Sequence, residues 1–272
     1  MEQPIDLDHV ALAAEHQALA WPRLTGDLGG TWVSGGPSTG FTAAQVRFAN
    51  GMKVEVLEPH LVEQNDFLRR FLDASGPGPH HLTFKVADLD VALDRVRAAG
   101  IEPVGIDRSD PGWQEAFLHP RQAHGVVVQL AQSDGAWESD PPPDLPPAAR
   151  PTATLDHVTH VVPDLAAAAA LFGDLLGGTE VGGAEAGGPA PKGATHLDLS
   201  WPGGGCIRLV APSGNEGSSP WSAWLDGGRG RVHHLAFTLD DPASVPGAIP
   251  TDDAWVIPPD RDLGVRFVLR ST

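Results

Sequence analysis

Four residues that can ligate a metal ion follow one another along the first half of the chain, each in a short apolar segment. They are two histidines, a glutamate and a glutamine: His9, Glu55, His81 and Gln129. Side chains alternate between the faces of a β-strand, so one face of each predicted strand offers one of these groups. Two imidazoles, a carboxylate and an amide oxygen suit one divalent transition metal ion (Zn, Ni, Co, Fe or Mn) and disfavour Ca or Cu(I).

The segments around these residues recur in the second half of the chain. The pairs are Leu7-Asp8-His9-Val10 with Leu155-Asp156-His157-Val158, Glu55-Val56-Leu57-Glu58-Pro59 with Arg208-Leu209-Val210-Ala211-Pro212, and His80-His81-Leu82-Thr83-Phe84 with His233-His234-Leu235-Ala236-Phe237. In the second copy Arg208 replaces the glutamate and Val268 replaces the glutamine. We therefore expect a cation site in the first copy only, with His157 and His234 structural or facing a substrate.

A proline-rich segment, Asp140–Pro147, separates the two copies. Such a stretch continues neither a helix nor a central strand and behaves as a stiff spacer. We predict a metal-binding domain over residues 1–138, a linker over 139–152 and a degenerate second domain over 153–272.

Each half is predicted to alternate strand, helix and further strands, twice. Asp88 is expected to cap a helix over Leu89–Ala99 that Gly100 ends. A second helix should open at Pro163-Asp164-Leu165 and run to Leu176. Short β-branched or apolar runs predict strands, among them 54–57, 82–86 and 126–130. The whole chain then contains four similar modules of about 50 to 60 residues.

The composition narrows the class of partner. A formal net charge of -17 disfavours nucleic acid and anionic membrane surfaces, which leaves a small-molecule substrate. No apolar run approaches the roughly 18 residues of a membrane span, and the acidic start lacks the basic region of a signal peptide, so a cytoplasmic location is expected. Cys206 is the only cysteine, which excludes an intrachain disulfide. The oligomeric state is open between monomer and homodimer.

The quoted segments, together with His119-Pro120 and the strand from Gly125 to Leu130, resemble the strand signatures of the vicinal oxygen chelate superfamily. That superfamily includes glyoxalase I, methylmalonyl-CoA epimerase, extradiol dioxygenases and bleomycin resistance proteins. The resemblance implies an α+β fold of tandem paired βαβββ modules, four modules in two domains. It also implies that His9, Glu55, His81 and Gln129 are the metal ligands, with His81 rather than His80 as the third.

The resemblance implies a metal-dependent isomerase or lyase, similar to glyoxalase or an epimerase, that acts through an enolate-like intermediate. The chain departs from the epimerase pattern, because Gln129 cannot take a proton and no acid lies between Leu28 and Val54. Glu55 is then the only carboxylate among the four ligands and the candidate catalytic residue, which would have to leave the ion to act as a base.

Two other functions are open. His9, His81 and Glu55 form a two-histidine, one-carboxylate set that suits Fe in a ring-cleaving extradiol-type dioxygenase, although there the carboxylate belongs to the last strand. The third possibility is a metal-free small-molecule binding or antibiotic resistance protein. Four further residues are candidates for substrate binding: Arg47, Thr83, Trp113 and His119.

Overall fold

A computed structural model describes residues 5–133, 135, 138–182, 189–213, 219–261 and 263–272. In the first half the strands are β1 (Asp6–Ala13), β2 (Thr31–Pro37), β3 (Gly40–Arg47), β4 (Lys53–His60), β5 (Gly78–Lys85), β6 (Val104–Asp110), β7 (Trp113–Leu118) and β8 (Val127–Ser133). The α-helices there are α1 (Phe67–Ser75) and α2 (Leu89–Ala98), with a 3-10 turn at Gln17–Leu19 and a π-helical turn at Pro22–Asp27.

The second half repeats this order of elements. Its strands are β9 (Thr154–Val161), β10 (Thr179–Val181), β11 (Ala194–Ser200), β12 (Cys206–Pro212), β13 (Arg231–Leu239), β14 (Ile249–Pro250), β15 (Trp255–Ile257) and β16 (Arg266–Ser271). Its helices are α3 (Leu165–Ala169), which continues as a π-helical segment over Ala170–Leu175, and α4 (Pro220–Leu225), with 3-10 turns at Pro242–Ser244 and Pro259–Arg261. None of the helices in the described ranges is long and apolar enough to cross a membrane.

The strands form two eight-stranded sheets with the same order. The first sheet runs β2-β3-β4-β1-β5-β8-β7-β6 and the second β10-β11-β12-β9-β13-β16-β15-β14. In each module the first strand pairs with the last strand, and these pairs are parallel. In the first sheet they are β1 with β4 and β5 with β8. In the second sheet they are β9 with β12 and β13 with β16. The predicted α+β fold of four paired modules is confirmed.

Two predicted helices are confirmed, and their caps explain where they begin. The Asp88 carboxylate accepts a hydrogen bond from the backbone N–H of Val91 at 3.1 Å, and α2 ends before Gly100. The Asp164 carboxylate accepts from Ala167 at 3.0 Å at the start of α3. These side chains satisfy backbone donors that the first helical turn leaves without a partner.

The backbone groups into two compact units, each with its own aromatic core. One contains the described residues of Met1–Asp8, His81–Ala136 and His157–His233, and the other those of His9–His80, Trp137–Asp156 and His234–Thr272. In the first unit the rings of Phe84 and Trp201 lie 5.4 Å apart. In the second, Phe48 and Phe237 are 4.9 Å apart. The predicted boundaries at residues 138 and 153 stay predictions.

Candidate metal site

The first pair of candidate ligands lies on two neighbouring parallel strands. β1 runs beside β4 with His9 opposite Lys53 and Ala11 opposite Glu55. The His9 and Glu55 side chains are buried, and His9 Nε2 lies 3.5 Å from Glu55 Oε2. On the other side, Glu55 Oε1 accepts a 2.9 Å hydrogen bond from Gln45 Nε2, because β3 places Gln45 directly opposite Glu55. The amide thus orients the carboxylate toward the imidazole.

The second pair lies on β5 and β8, which are also parallel. His81 is opposite Val127, and Thr83 is opposite Gln129, so His81, Thr83 and Gln129 share one face of the sheet. All three side chains are buried. The sequence-based expectation that each of these strands directs one ligand to a common face agrees with this register.

His9, Glu55 and His81 form a compact group of possible ligands. One ligand atom from each lies within 4.8 Å of the others, and all three residues are buried. Two ligand atoms bound at about 2.1 Å to one ion would be about 3.0 to 3.4 Å apart. The 3.5 Å between His9 Nε2 and Glu55 Oε2 is close to that separation, so this pair fits a divalent ion with little movement.

His80 is separate from this group and has an apolar environment. Its ring contacts Phe67 and Phe71 of α1, with centroid distances of 5.7 and 4.8 Å. Burial lowers the pKa of His80 to about 4, against the smaller opposing effect of the Glu55 charge. His80 is therefore neutral at pH 7 and serves the packing between α1 and β5.

Gln129 is held by two neighbours, one of which the sequence analysis did not identify. Its Oε1 accepts a 2.5 Å hydrogen bond from the Thr83 hydroxyl, and its Nε2 donates to Glu115 Oε2 at 2.6 Å. The same Glu115 oxygen accepts from Trp113 Nε1 at 2.7 Å. The alternation along β7 places Glu115 on the same face as Trp113, which was the available signal. This alternation does not predict the contact between Glu115 and Gln129, because the pairing of β7 with β8 cannot be inferred from the sequence.

The four substrate-binding candidates fall into two groups. Thr83 is fully buried and Trp113 is partly buried, with the ammonium of Lys85 3.7 Å above the Trp113 ring. Arg47 is exposed at the end of β3. His119 is also exposed, and its Nδ1 accepts a 3.1 Å hydrogen bond from the backbone N–H of Arg121. Thr83 and Trp113 thus join the network around Gln129, while Arg47 and His119 have surface positions.

The second half holds an ion pair where the first holds the Gln45 and Glu55 pair. Arg208 is opposite Asp198 on β12 and β11, which corresponds to Glu55 opposite Gln45 on β4 and β3. Arg208 Nε and Nη2 donate to the two Asp198 oxygens at 2.7 and 3.0 Å, and Nη1 donates to the Pro189 carbonyl at 3.0 Å. Both charged side chains are 4% exposed. A guanidinium therefore occupies the position of the first half's carboxylate.

Apolar residues replace the network around Gln129 in the second half. Ala236 is opposite Val268 on β13 and β16, as Thr83 is opposite Gln129. Val256 is also opposite Val268, which makes Ala254 the counterpart of Glu115 two residues earlier. These four residues pack in one hydrophobic cluster. The hydroxyl, the amide and the carboxylate of the first half are thus all absent at the described counterpart positions.

Comparison with known proteins adds three findings. The sequence profile of the Glyoxalase/Bleomycin resistance protein/Dioxygenase superfamily matches residues 8–117. An ethylmalonyl-CoA/methylmalonyl-CoA epimerase from Cereibacter sphaeroides is 29% identical over 132 residues, which are 46% of this chain and 96% of that protein. The methylmalonyl-CoA epimerase structure from Mycobacterium tuberculosis is 27% identical, with a TM-score of 0.44, and the match covers 48% of this chain and 89% of that one.

A fourth similarity extends over both halves. A triple mutant of 4-hydroxymandelate synthase from Streptomyces coelicolor aligns with 99% of this chain and 93% of its own, with a TM-score of 0.64 and 16% sequence identity. At this identity the similarity concerns the fold alone. It agrees with the tandem arrangement of two eight-stranded sheets.

Proposed function

Because residues 8–117 of the chain belong to the glyoxalase/bleomycin resistance protein/dioxygenase superfamily, we propose that the protein is a metal-dependent isomerase that moves a proton at a carbon next to a carbonyl group. The observation that carries this proposal is the buried group of His9, Glu55 and His81, whose ligand atoms lie within 4.8 Å of one another. Gln129 is the proposed fourth ligand. A divalent ion held by these residues would supply Lewis-acid stabilisation of negative charge on a substrate oxygen.

The charge of the ligand set favours such an anionic oxygen. The imidazoles of His9 and His81 and the amide of Gln129 are neutral, so Glu55 contributes the only negative charge among the four ligands. With a divalent ion the set would have a net charge of +1. A buried site with that charge would favour an anionic substrate oxygen over a neutral carbonyl oxygen, and this difference would accelerate proton removal.

We assign the proton transfer itself to Glu55. Its Oε1 holds the hydrogen bond from Gln45, and Oε2, 3.5 Å from His9 Nε2, is the atom that can accept a proton. A base in this role must come within hydrogen-bonding distance of the substrate carbon, so Oε2 has to turn away from His9 during turnover. The hydrogen bond from Gln45 would hold Glu55 Oε1 in place while Oε2 turns.

The similarity to the ethylmalonyl-CoA/methylmalonyl-CoA epimerase supports a proposal for the substrate class. A 2-substituted malonyl-CoA thioester has an acidic C–H next to a thioester carbonyl, and the carboxylate and carbonyl oxygens can both face an ion. We therefore propose small oxygen-bearing acyl compounds of this kind as the first substrates to test. The exchange of the C2 proton for deuterium in D2O, followed by mass spectrometry, measures the proposed step directly.

The first experiment measures the metal content of protein purified without an affinity tag or chelator, beside two variants. We expect about one equivalent of a transition metal in the natural protein, its loss in His81→Ala, and its retention in His234→Ala, the matched change in the second half. Glu55→Gln should abolish deuterium exchange. No bound metal, even after reconstitution with Zn, Ni, Co, Fe or Mn, would overturn the enzyme proposal and favour a small-molecule binding or resistance protein.

One observation favours a second candidate function. Two histidines and one carboxylate form the ligand set of many Fe(II) oxygenases, which keep open positions for substrate and oxygen. His9, His81 and Glu55 have this composition. Iron in the purified protein, together with oxygen consumption on addition of catechols, would favour a ring-cleaving dioxygenase; metal-dependent deuterium exchange without oxygen consumption would favour the isomerase.

A further inference from the structure

We propose that Glu115 is a positioning residue that orients the Gln129 amide, so that its oxygen rather than its nitrogen faces the metal ligands. The inference rests on the proposed function, because it concerns how Gln129 becomes a ligand. It adds a residue outside the ligand group, two strands away from His81 in the sheet order. Its basis is the hydrogen-bonding chemistry of three side chains.

The neighbours of Gln129 differ in which end of its amide they can pair with. A carboxylate only accepts hydrogen bonds, whereas a hydroxyl both donates and accepts. Thr83 could therefore pair with either end of the amide, and it does not fix the orientation. Glu115 Oε2, 2.6 Å from Gln129 Nε2, requires the amide NH2 at its side. The oxygen must then face Thr83, as the 2.5 Å hydrogen bond shows.

The Gln129 amide has a defined direction within the sheet. β8 lies between β7, which carries Glu115, and β5, which carries Thr83 and His81. The amide therefore extends across its own strand, with the nitrogen toward β7 and the oxygen toward β5. The amide oxygen, the only end of the group that can ligate a cation, thus points toward β5, the strand that also carries His81.

Glu115 is itself held in place by Trp113. Trp113 Nε1 donates to the same Glu115 oxygen at 2.7 Å, and the Trp113 ring is covered by the Lys85 ammonium. The Lys85 ammonium also donates to the Ser133 hydroxyl at 2.8 Å. Glu115 is thereby fixed by neighbours that do not belong to the ligand group. Outer residues of this kind set the orientation of metal ligands in other proteins, and their loss typically lowers metal affinity by about 10- to 100-fold.

The second half of the chain supports this role. There the counterparts of Thr83, Gln129 and Glu115 are Ala236, Val268 and Ala254, which form a hydrophobic cluster. A carboxylate needed only to stabilise the sheet would have no reason to be absent together with the fourth ligand. The joint replacement fits a single function in which Glu115 acts through Gln129.

The test is a double-mutant cycle on metal affinity, measured by competition with a chromophoric chelator. We expect Glu115→Leu to weaken binding of Co(II) or Zn(II) by about 10- to 100-fold in the natural background. The same change should have less than a twofold effect in a Gln129→Leu background, because no amide is left to orient. Glu115→Gln, which keeps an acceptor, should lose less than tenfold. Gln114→Leu, on the opposite face of β7, is the matched control and should bind as the natural protein does.

The visible spectrum of the Co(II) protein gives a second readout that does not depend on activity. Glu115→Leu and Gln129→Leu should produce the same spectrum, different from that of the natural protein, since both lose the amide oxygen from the ion. Unchanged affinity in Glu115→Leu, or equal losses in both backgrounds, would overturn the positioning role and leave the proposed metal site intact. Absence of metal binding by the natural protein would instead overturn the proposed function and this inference together.

Discussion

Neutralising Asp198 should destabilise the protein strongly, because its partner Arg208 would remain buried without its counter-charge. Both side chains are 4% exposed, and the pair is bidentate at 2.7 and 3.0 Å. Removal of one partner of a buried ion pair typically costs about 3 to 5 kcal/mol. We expect Asp198→Asn to lower the free energy of unfolding by about 3 kcal/mol or more, and the melting temperature by about 10 °C. Urea denaturation and differential scanning calorimetry measure both.

An exposed ion pair of the same chain gives the matched control. Arg70 and Asp66 lie 3.2 Å apart, and both side chains are more than half exposed, so Asp66→Asn should cost less than about 0.5 kcal/mol. The double variant D198L/R208M should recover the stability of the natural protein, since apolar residues avoid the desolvation of both charges. A loss below about 1 kcal/mol in Asp198→Asn, or a double variant as unstable as the single one, would refute the reasoning.

Three further outcomes follow from the described structure. With free metal ion at 100 times its dissociation constant, removal of the proposed ion by a chelator should lower the free energy of unfolding of the natural protein by about 3 kcal/mol. The chelator should leave the thermal melt of His81→Ala unchanged. Burial lowers the pKa of His160 to about 4, so the folded state binds fewer protons than the unfolded state between pH 6.5 and 4. The free energy of unfolding therefore decreases as the pH is lowered from 6.5 to 4. Urea titrations at pH 7 and 5 should differ by about 2 kcal/mol more in the natural protein than in His160→Gln; an equal difference would contradict the assignment. Gly125 has a φ of +85°, and a Cβ there would overlap the carbonyl oxygen of Gly230, so Gly125→Ala should lose more than about 2 kcal/mol in urea denaturation. Gly135→Ala, where a Cβ meets nothing within 4 Å, is its control.

The fold could be predicted from the sequence because the signals are local and occur twice. The segments Leu7–Val10 and Leu155–Val158 are identical at all four positions, and Asp88 caps its helix through a hydrogen bond to the backbone three residues away. Such features depend on neighbours along the chain. The candidate metal ligands His9 and His81 could be predicted for the same reason, since strand alternation alone puts each on a defined face.

Glu115 and Asp198 could not be predicted, because their roles depend on the register between strands. Glu115 reaches Gln129 because β7 pairs antiparallel with β8, in a register that puts Phe117 opposite Gln129. Asp198 reaches Arg208 across a similar pair. Register is determined by turn geometry and by packing on both faces, which a single sequence does not specify at this precision. The partner of a buried charge is therefore harder to predict than the charge itself.

The two halves distribute charge differently at the same pair of positions, and this difference explains why only one is proposed to bind metal. On β3 and β4 a neutral amide, Gln45, faces a carboxylate, Glu55, so the pair has one negative charge. On β11 and β12 Asp198 faces Arg208, so the pair is neutral and already contains a cation. An added divalent ion would be attracted to the first pair and repelled by the guanidinium of the second. Since Glu55, Asp198 and Arg208 are all buried, that preference is weakly screened by solvent and salt.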